Sequence, residues 1–236
     1  MRLPGMENRT VVLGQTGTGK TVFSLWLLAQ QNYFEYPWTV IDYKGDELID
    51  RIFKLRSPYI HTIKIGRKPP KKPGLYRLCP DLVNDDDAVN QYLYDVYRQQ
   101  NHGLYIDEGY AIPNVRDNKP LNAIFTQGRA RKNPVICCYQ RPVFMSRFAV
   151  AQASFISHFE QDDERDLVSA KQFIRAAIAP DGSKITPFTE LPKYYSLWYD
   201  ISGRKTSVLQ PCPDDNGVLQ LYRTRLGVSN RMGALV

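Results

Sequence analysis

The amino-acid sequence predicts an α/β fold in which a mostly parallel central sheet is flanked by helices. Short runs of apolar and β-branched residues, each long enough for one strand, alternate with longer segments of helical spacing. The first run leads through a glycine-rich loop into a helical segment, which is the start of a βα unit and favours a parallel sheet. The 236 residues suffice for one such domain with a modest extension.

Seven strands are expected, because seven short apolar segments are bounded by turn residues. They cover residues 11–13, 38–43, 59–65, 75–78, 104–106, 135–139 and 153–159. The spacing of apolar residues also predicts five helices. These cover residues 22–31, 47–55, 84–100, 119–132 and 162–178, and Asp46 is a suitable N-cap for the second of them.

The last quarter of the chain differs in character. Residues 194–209 predict a β-hairpin that turns at residues 202–204. From Pro211 onward, proline, glycine and short apolar pieces predict a loosely packed tail. We therefore expect a core domain over residues 1–180 and an extension over residues 181–236, packed on the core or used for contacts between subunits.

The composition narrows the class of protein. The formal net charge is +7 and the isoelectric point about 9.2, which favours a polyanionic partner such as nucleic acid. No apolar run reaches the roughly 18 residues that span a bilayer and no signal peptide is evident, so we expect a soluble intracellular protein. The four cysteines lack C-x-x-C spacing, which favours reduced structural thiols over zinc or disulfides.

The glycine-rich loop has the pattern G-x-x-x-x-G-K-[ST] and lies between an apolar strand and a helix. In this context its backbone NH groups cradle phosphates, its lysine reaches the β- and γ-phosphates, and its last hydroxyl ligates Mg²⁺. The sequence therefore predicts that ATP and Mg²⁺ bind here. The predicted phosphate-binding residues are Gly14, Gln15, Thr16, Gly17, Thr18, Gly19, Lys20 and Thr21, with Thr21 also a metal ligand.

The second strand ends in Asp42, Lys44 and Gly45. Ligands of open α/β sheets bind at the carboxyl ends of the strands, so these residues lie where a nucleotide site is expected. Spacing alone does not separate a role in that site from a solvated turn, and both readings stay open here.

The fifth strand runs into Asp107 and Glu108. A hydrophobic strand that ends in two acids, downstream of a phosphate loop, is typical of a hydrolysing site. The first carboxylate, Asp107, holds the metal shell, and Glu108 orients and activates the attacking water. Gln140 follows the sixth strand, from which a polar side chain can contact the γ-phosphate or the water.

Two arginines precede the sixth strand. Arg129 and Arg131 lie near the end of a predicted helix, and either can supply the charge that stabilises a transferring phosphoryl group in a neighbouring subunit. Arg141, beside Gln140, is a third candidate for this role. Each of these residues is otherwise an ordinary surface charge.

Two charged loops are candidates for contact with DNA. The loop at residues 67–72 reads RKPPKK and is either a DNA-contacting tip or a solvated basic loop. Residues 110–119 form the other. Contacts of this kind involve the phosphate backbone and carry no sequence information.

Four motifs in order resemble the FtsK/HerA superfamily of DNA-pumping ATPases. They are TVVLGQTGTGKT, VIDYKGDEL, LYIDEG and QGRARKNPVICCYQRP, and the similarity covers residues 10–172. Within that superfamily the small size resembles the genome-packaging ATPases of membrane-containing icosahedral viruses. The run Cys137, Cys138, Tyr139 departs from the small residues and threonine that the superfamily often has before the glutamine.

The resemblance implies a RecA-like P-loop NTPase core and ATP hydrolysis between the subunits of a ring, expected to be hexameric. It implies catalytic roles for Lys20, Glu108 and Gln140, metal binding by Thr21 and Asp107, and an arginine finger at Arg129 or Arg131. The implied substrate is double-stranded DNA, pumped into a preformed capsid. The implied partners are portal or vertex proteins, and the implied location is the virion and the host cytoplasm, near a membrane through the vertex.

Other readings stay open at this point. An ATPase for filamentous phage assembly or secretion is related, but such proteins usually add a membrane segment. Another DNA pump of the FtsK/HerA type also fits the motifs. A small-molecule phosphotransferase would lack the paired acids with the downstream glutamine, and a non-catalytic scaffold would not need Lys20, Asp107 and Glu108 together.

Overall fold

The computed structural model describes residues 1–228 and has a nine-stranded central sheet. Seven strands run parallel. They are β1 (Arg9–Leu13), β2 (Pro37–Ile41), β3 (Ile60–Ile63), β4 (Gly74–Leu78), β5 (Gly103–Ile106), β6 (Val135–Tyr139) and β7 (Phe155–His158). A hairpin of β10 (Ser196–Asp200) and β11 (Lys205–Leu209) adds two antiparallel strands beside β7. The resulting order is β11-β10-β7-β1-β6-β5-β2-β4-β3. A separate two-stranded ribbon joins β8 (Ala177–Ile178) and β9 (Lys184–Ile185).

Helices cover both faces of this sheet and create two hydrophobic cores. They are α1 (Lys20–Ala29), α2 (Glu47–Phe53), α3 (Asp86–Gln99), α4 (Lys119–Arg131), α5 (Arg147–Gln152), α6 (Glu164–Phe173) and α7 (Asp215–Leu226). Residues of α1, α2 and α7 belong to one core, and residues of α3, α4, α5 and α6 to the other. Along β1, Val11 and Leu13 face one core and Val12 the other. The central strands are therefore apolar throughout, as expected for a parallel sheet covered on both faces.

The predicted fold class is confirmed, with local differences. All seven predicted strands and the hairpin are present, and Asp46 caps α2 by accepting hydrogen bonds from Leu48 and Ile49. The predicted helix at residues 162–178 is too long, because α6 ends at Phe173 and Ala177 pairs instead with Ile185 in the small ribbon. The short helix α5 was not predicted.

The prediction of a loosely packed tail after Pro211 is wrong for the residues that the structure describes. Residues 215–226 form α7, which Asp214 caps by accepting a hydrogen bond from the Gly217 amide at 2.8 Å. Val218 and Tyr222 are fully buried, and the Tyr222 hydroxyl donates to the Leu25 carbonyl of α1 at 2.9 Å. The apolar residues have helical spacing, which the preceding prolines obscured. The remainder of the predicted tail, residues 229–236, lies outside the described residues.

The hairpin continues the central sheet through the pairing of β10 with β7. The division of the chain at residue 180 stays a prediction. The carboxyl ends of β1, β2, β5 and β6 lie side by side at one edge of the sheet, because these strands are parallel neighbours. This edge is where a parallel α/β sheet places its ligand. Among residues 1–228, no helix is long and apolar enough to cross a membrane.

We predict that Tyr222→Ala lowers the free energy of unfolding by about 3–5 kcal/mol, because it leaves a large cavity between α7 and α1. Tyr222→Phe loses only the hydrogen bond and should cost about 1 kcal/mol. Urea unfolding followed by circular dichroism measures both. Tyr94→Ala, at an exposed position of α3, is the matched control. A Tyr222→Ala protein as stable as the control would contradict the packing of α7.

Candidate nucleotide-binding site

The glycine-rich loop connects β1 to α1 and presents the amino end of α1 to a cavity. Gly14 has no room for a side chain, because a Cβ there would lie 2.6 Å from the Cβ of Phe159. Gly19 precedes α1 with φ +90°, a left-handed conformation that favours glycine. The free amides and the dipole at this helix end suit a phosphate group.

Hydrogen bonds fix the shape of this loop. The Thr18 hydroxyl donates to the Gln15 carbonyl at 2.9 Å, and the Gln15 amide donates to the Glu160 carbonyl at 3.2 Å. Lys20 begins α1, is buried and lines the cavity. The loop is thus held in one conformation by the chain around it.

Two buried carboxylates face this loop from the end of β5. Asp107 and Glu108 are each 2% exposed. The Tyr105 hydroxyl donates to the Asp107 carboxylate at 3.0 Å. Burial, followed by repulsion from the Asp46 and Glu108 carboxylates, raises the pKa of Asp107 to about 6, and the nearby Lys20 ammonium opposes this rise. The carboxylates of Asp46, Asp107 and Glu108 line the cavity together, an arrangement that favours a bound cation.

Glu108 is bound on both sides by polar side chains. The Lys44 ammonium forms an ion pair with its Oε1 atom. The Gln140 amide donates to Oε1 at 3.1 Å and to Oε2 at 3.3 Å. The backbone carbonyl of Gln140 in turn accepts a hydrogen bond from the Gln161 side-chain amide at 2.7 Å. The structure thus brings Glu108 and Gln140 together and adds Lys44, whose role the sequence left open.

Asp42 shapes the loop that carries Lys44. Its buried carboxylate accepts hydrogen bonds from the amides of Gly45 at 2.9 Å and Asp46 at 3.3 Å. Its other oxygen pairs with the Arg77 guanidinium at 2.7 Å. Asp42 is therefore neither a solvated turn residue nor part of the cavity wall, and its effect on the site passes through Lys44.

A cavity of about 560 Å³ lies between the phosphate loop and the paired acids, and it includes a wall that the sequence did not predict. That wall comes from the C-terminal part of the chain. No motif marks these residues, and they reach the site only because the hairpin and α7 fold back onto α1. They are Tyr194, Ser196 and residues 210–215.

This chain is similar to known proteins in sequence and in fold. No protein-family model matches the sequence. The DNA packaging ATPase P9 of Enterobacteria phage PRD1 is 37% identical over 227 residues, which cover 94% of this chain and 95% of that protein. The chain belongs to the family of this viral DNA-packaging ATPase.

Solved structures agree with this family in fold. The genome packaging NTPase B204 from Sulfolobus turreted icosahedral virus 2, solved with sulfate, has a TM-score of 0.62 at 16% identity, over 89% of this chain and 99% of that one. EssC (ATPases 2 and 3) from Geobacillus thermodenitrificans has a TM-score of 0.60 at 12% identity, over 94% of this chain and 43% of that one. The predicted resemblance to viral genome-packaging ATPases is confirmed, and the likeness to B204 and EssC is one of fold.

In this member of the packaging ATPase family, two candidate arginines lie far from the phosphate loop of their own chain. Arg129 and Arg131 end α4, at the edge of the sheet where β5 and β6 begin. Arg131 is tied down, with its guanidinium 4.1 Å from the ring centre of Tyr97 and its carbonyl bound by the Asn101 amide. Arg129 is exposed, and its Nε lies 3.6 Å from a Glu7 carboxylate oxygen.

The third candidate, Arg141, lies at the same edge as the phosphate loop. Its guanidinium pairs with Asp166 at 2.7 Å and with Asp163 at 2.9 Å. These two carboxylates raise the pKa of Arg141, Asp166 most strongly. Arg141 is therefore engaged within its own chain.

The basic loop at residues 67–72 connects the edge strand β3 to its neighbour β4, away from the phosphate loop. Arg67, Lys68, Lys71 and Lys72 are exposed, while the loop is anchored through the Pro70 carbonyl, which accepts a hydrogen bond from Gln99 at 2.6 Å. A role for this loop in DNA contact stays a prediction.

The predicted metal ligands fit Mg²⁺. Thr21 and Asp107 both line the cavity beside the phosphate loop. A hydroxyl and one carboxylate are the protein ligands of an ion that takes its remaining ligands from phosphate and water. Burial is the main cause of the raised pKa of Asp107, and a bound cation would offset that cost. Residues 1–228 contain no cluster of three or more histidine, cysteine or acidic side chains that would bind a metal by itself.

We predict that Asp107→Asn stabilises the metal-free protein. Burial raises the pKa of Asp107 from 3.8 to about 6, so the folded protein binds the proton more tightly than the unfolded chain between these values. Stability therefore falls as pH rises through that window. In EDTA, the variant should gain about 3 kcal/mol at pH 8 but only about 1 kcal/mol at pH 4.5, which lies inside the window between the two pKa values.

Urea unfolding at both pH values measures this difference. Asp95→Asn, on α3 and outside the cavity, serves as the control. An equal gain at pH 4.5 and pH 8 would contradict an electrostatic origin.

Proposed function

We propose that this protein is an ATPase that pumps double-stranded DNA into a viral capsid. The observation that carries the proposal is the buried pair Asp107 and Glu108 facing an intact phosphate loop, in a chain 37% identical to a DNA packaging ATPase over nearly its whole length. ATP-γS was bound in the similarly folded packaging NTPase B204. The alternative of an ATPase for filamentous phage assembly or secretion gains no support from EssC, because that likeness, at 12% identity, is one of fold.

The residues of the site divide the chemistry of hydrolysis. Lys20 and the amides of the phosphate loop bind and orient the β- and γ-phosphates. Mg²⁺, held by Thr21 and Asp107, would neutralise phosphate charge when bound. Glu108 accepts the proton of the attacking water, and Gln140 holds the Glu108 carboxylate in place.

Glu108 is restrained by two polar neighbours. Lys44 and Gln140 occupy its carboxylate oxygens, and its side chain is 3% exposed. A general base needs a free lone pair within hydrogen-bond distance of the water. We infer that the γ-phosphate competes for the Lys44 ammonium and frees Glu108, so that the base becomes available only when ATP is present.

A ring of subunits completes the site. The expected assembly is a hexamer, in which an arginine of one subunit reaches the phosphates bound by the next. We infer that Arg129 is this residue. Its side chain is 76% exposed and has only a loose ion pair, whereas Arg131 stacks on Tyr97 and Arg141 pairs with two acids of its own chain.

The remaining partners follow from the same proposal. Basic residues at 67–72 and the loop at 110–119 are candidates to line the channel and to contact the DNA backbone. Portal or vertex proteins of the capsid would dock the ring, which places the protein in the virion and in the host cytoplasm. The segment 181–236 is proposed to serve as an extension of the core domain.

We predict that Glu108→Gln binds ATP with an affinity close to that of the parent protein but loses hydrolysis by about 100-fold or more, because glutamine cannot accept the proton of the water. Binding is measured by calorimetry and turnover by phosphate release. Glu164→Gln, at an exposed position of α6, is the matched control. Retained turnover in Glu108→Gln would remove Glu108 from its proposed role.

We also predict that long duplex DNA raises ATP turnover. Turnover that DNA leaves unchanged at low salt would contradict the pumping function.

We predict further that Arg129 acts across subunits. Arg129→Ala and Lys20→Ala proteins, each inactive alone, should regain turnover when mixed, because a mixed ring contains interfaces with both residues intact. Arg131→Ala is the control and should stay active alone. If mixing does not restore turnover, the proposed role of Arg129 as an arginine finger is contradicted.

A further inference from the structure

The cavity beside the phosphate loop has two chemically different ends. Of the described residues that line it, Lys20 and Lys44 are the cations, and both lie at the end with the phosphate loop and the paired acids. The volume of about 560 Å³ is within the range of sites that enclose a whole small molecule. The cation-free end therefore has room for the part of a nucleotide that carries no phosphate.

The cation-free end, at which no cation lines the cavity, is formed by the C-terminal part of the chain. The Lys193 ammonium lies outside this lining, 4.9 Å from the ring centre of Tyr194. Tyr194, Pro211, Cys212 and Pro213 provide an aromatic ring, two proline rings and a half-buried thiol. Asp215 lines the same end, and a carboxylate repels phosphate. Flat apolar surfaces of this kind suit a heterocyclic base, which stacks on aromatic rings.

Tyr194 is held against the phosphate loop by an unusual backbone. Its φ is +68°, a left-handed conformation that is uncommon for tyrosine, in a turn closed by the Tyr195 amide donating to the Pro192 carbonyl at 3.0 Å. The ring packs directly over Gly19, since a Cβ on that glycine would lie 3.1 Å from the Cδ1 atom of Tyr194. Backbone conformations of this kind persist at functional sites, where the surrounding structure enforces them.

The other part of this wall is fixed at its C-terminal end. Residues 211–213 lead into α7, whose N-cap Asp214 binds the Gly217 amide at 2.8 Å. The Asn216 side chain accepts a hydrogen bond from Arg51 of α2 at 2.7 Å. With α7 packed on α1, the wall keeps its position relative to the phosphate loop, so binding requires little rearrangement.

We propose that Tyr194 and residues 211–213, here called the C-terminal wall, bind the base of the nucleotide by stacking and apolar contact. The phosphate loop holds the phosphates of the same molecule. This inference rests on the proposed function, which requires a nucleoside triphosphate in the cavity. It assigns a binding role to the part of the chain that carries no nucleotide motif.

Cys212 provides a native probe of the wall. Cys137 and Cys138 are fully buried, so in a Cys79→Ser background Cys212 is the remaining thiol with access to solvent. Burial raises the pKa of Cys212 to about 11, so its alkylation by a maleimide is slow and is followed at pH 8.5 by mass spectrometry. Saturating ATP should slow the reaction about tenfold, while saturating tripolyphosphate, which has no base, should change it less than about twofold.

Affinity provides the second test. Tyr194→Ala should weaken ATP binding about tenfold in calorimetry and leave tripolyphosphate binding within about twofold. Tyr194→Phe keeps the ring and should bind ATP like the parent protein. Tyr94→Ala, at an exposed position of α3 outside the cavity, is the control for a general effect of losing a tyrosine.

The outcomes separate this inference from the proposed function. If ATP binds but leaves Cys212 unprotected, or if Tyr194→Ala weakens the binding of ATP and of tripolyphosphate equally, the proposed base-binding role of the C-terminal wall is wrong. The proposed nucleotide site would be unaffected by either result. If ATP does not bind the parent protein, or binds equally well to Lys20→Ala, the proposed function itself fails. If tripolyphosphate protects Cys212 as strongly as ATP does, the proposed base-binding role of the C-terminal wall is also contradicted.

Discussion

Two adjacent carboxylates buried at the end of β5 impose the main electrostatic constraint on this structure. Buried charges are costly unless partners surround them. Asp107 has the Tyr105 hydroxyl as its donor, and Glu108 has Lys44 and Gln140. Each of these partners belongs to a strand, or to the loop that follows a strand, ending at the same edge of the sheet. The parallel order of β2, β5 and β6 is therefore what makes the acid pair tolerable.

The loop after β2 shows how this constraint extends outward. Lys44 reaches Glu108 because Asp42 binds the amides that follow Lys44 and is itself clamped by Arg77 of β4. A strand that does not touch the cavity thus fixes the partner of the general base. Burial is the main cause of the raised pKa of Asp107, and repulsion from the Asp46 and Glu108 carboxylates adds to it. The buried carboxylates of the folded protein therefore favour the binding of a cation and of the phosphates that accompany it.

The C-terminal part of the chain is joined to the site through packing. The hairpin extends the sheet beside β7, and α7 buries Tyr222 against α1, the helix that begins at Lys20. The same helix therefore presents the phosphate loop at its amino end and supports the C-terminal segment along its side. The packing of α7 on α1 therefore contributes both to the stability of α7 and to the shape of the nucleotide cavity.

The amino-acid sequence by itself determined the fold class, the phosphate loop and the acid pair, because each of them depends on local patterns. Buried parallel strands are apolar throughout, and a phosphate loop requires glycines at fixed positions. The predictions failed or stayed open where distant segments meet. Nothing adjacent to Lys44 in sequence indicates Glu108, and nothing near Tyr194 indicates Gly19. The packing of α7 was likewise missed, since prolines before it suggested irregular structure. Only the tertiary structure decided these contacts, because they depend on the order of strands in the sheet and on the face of α1 left for α7 to cover.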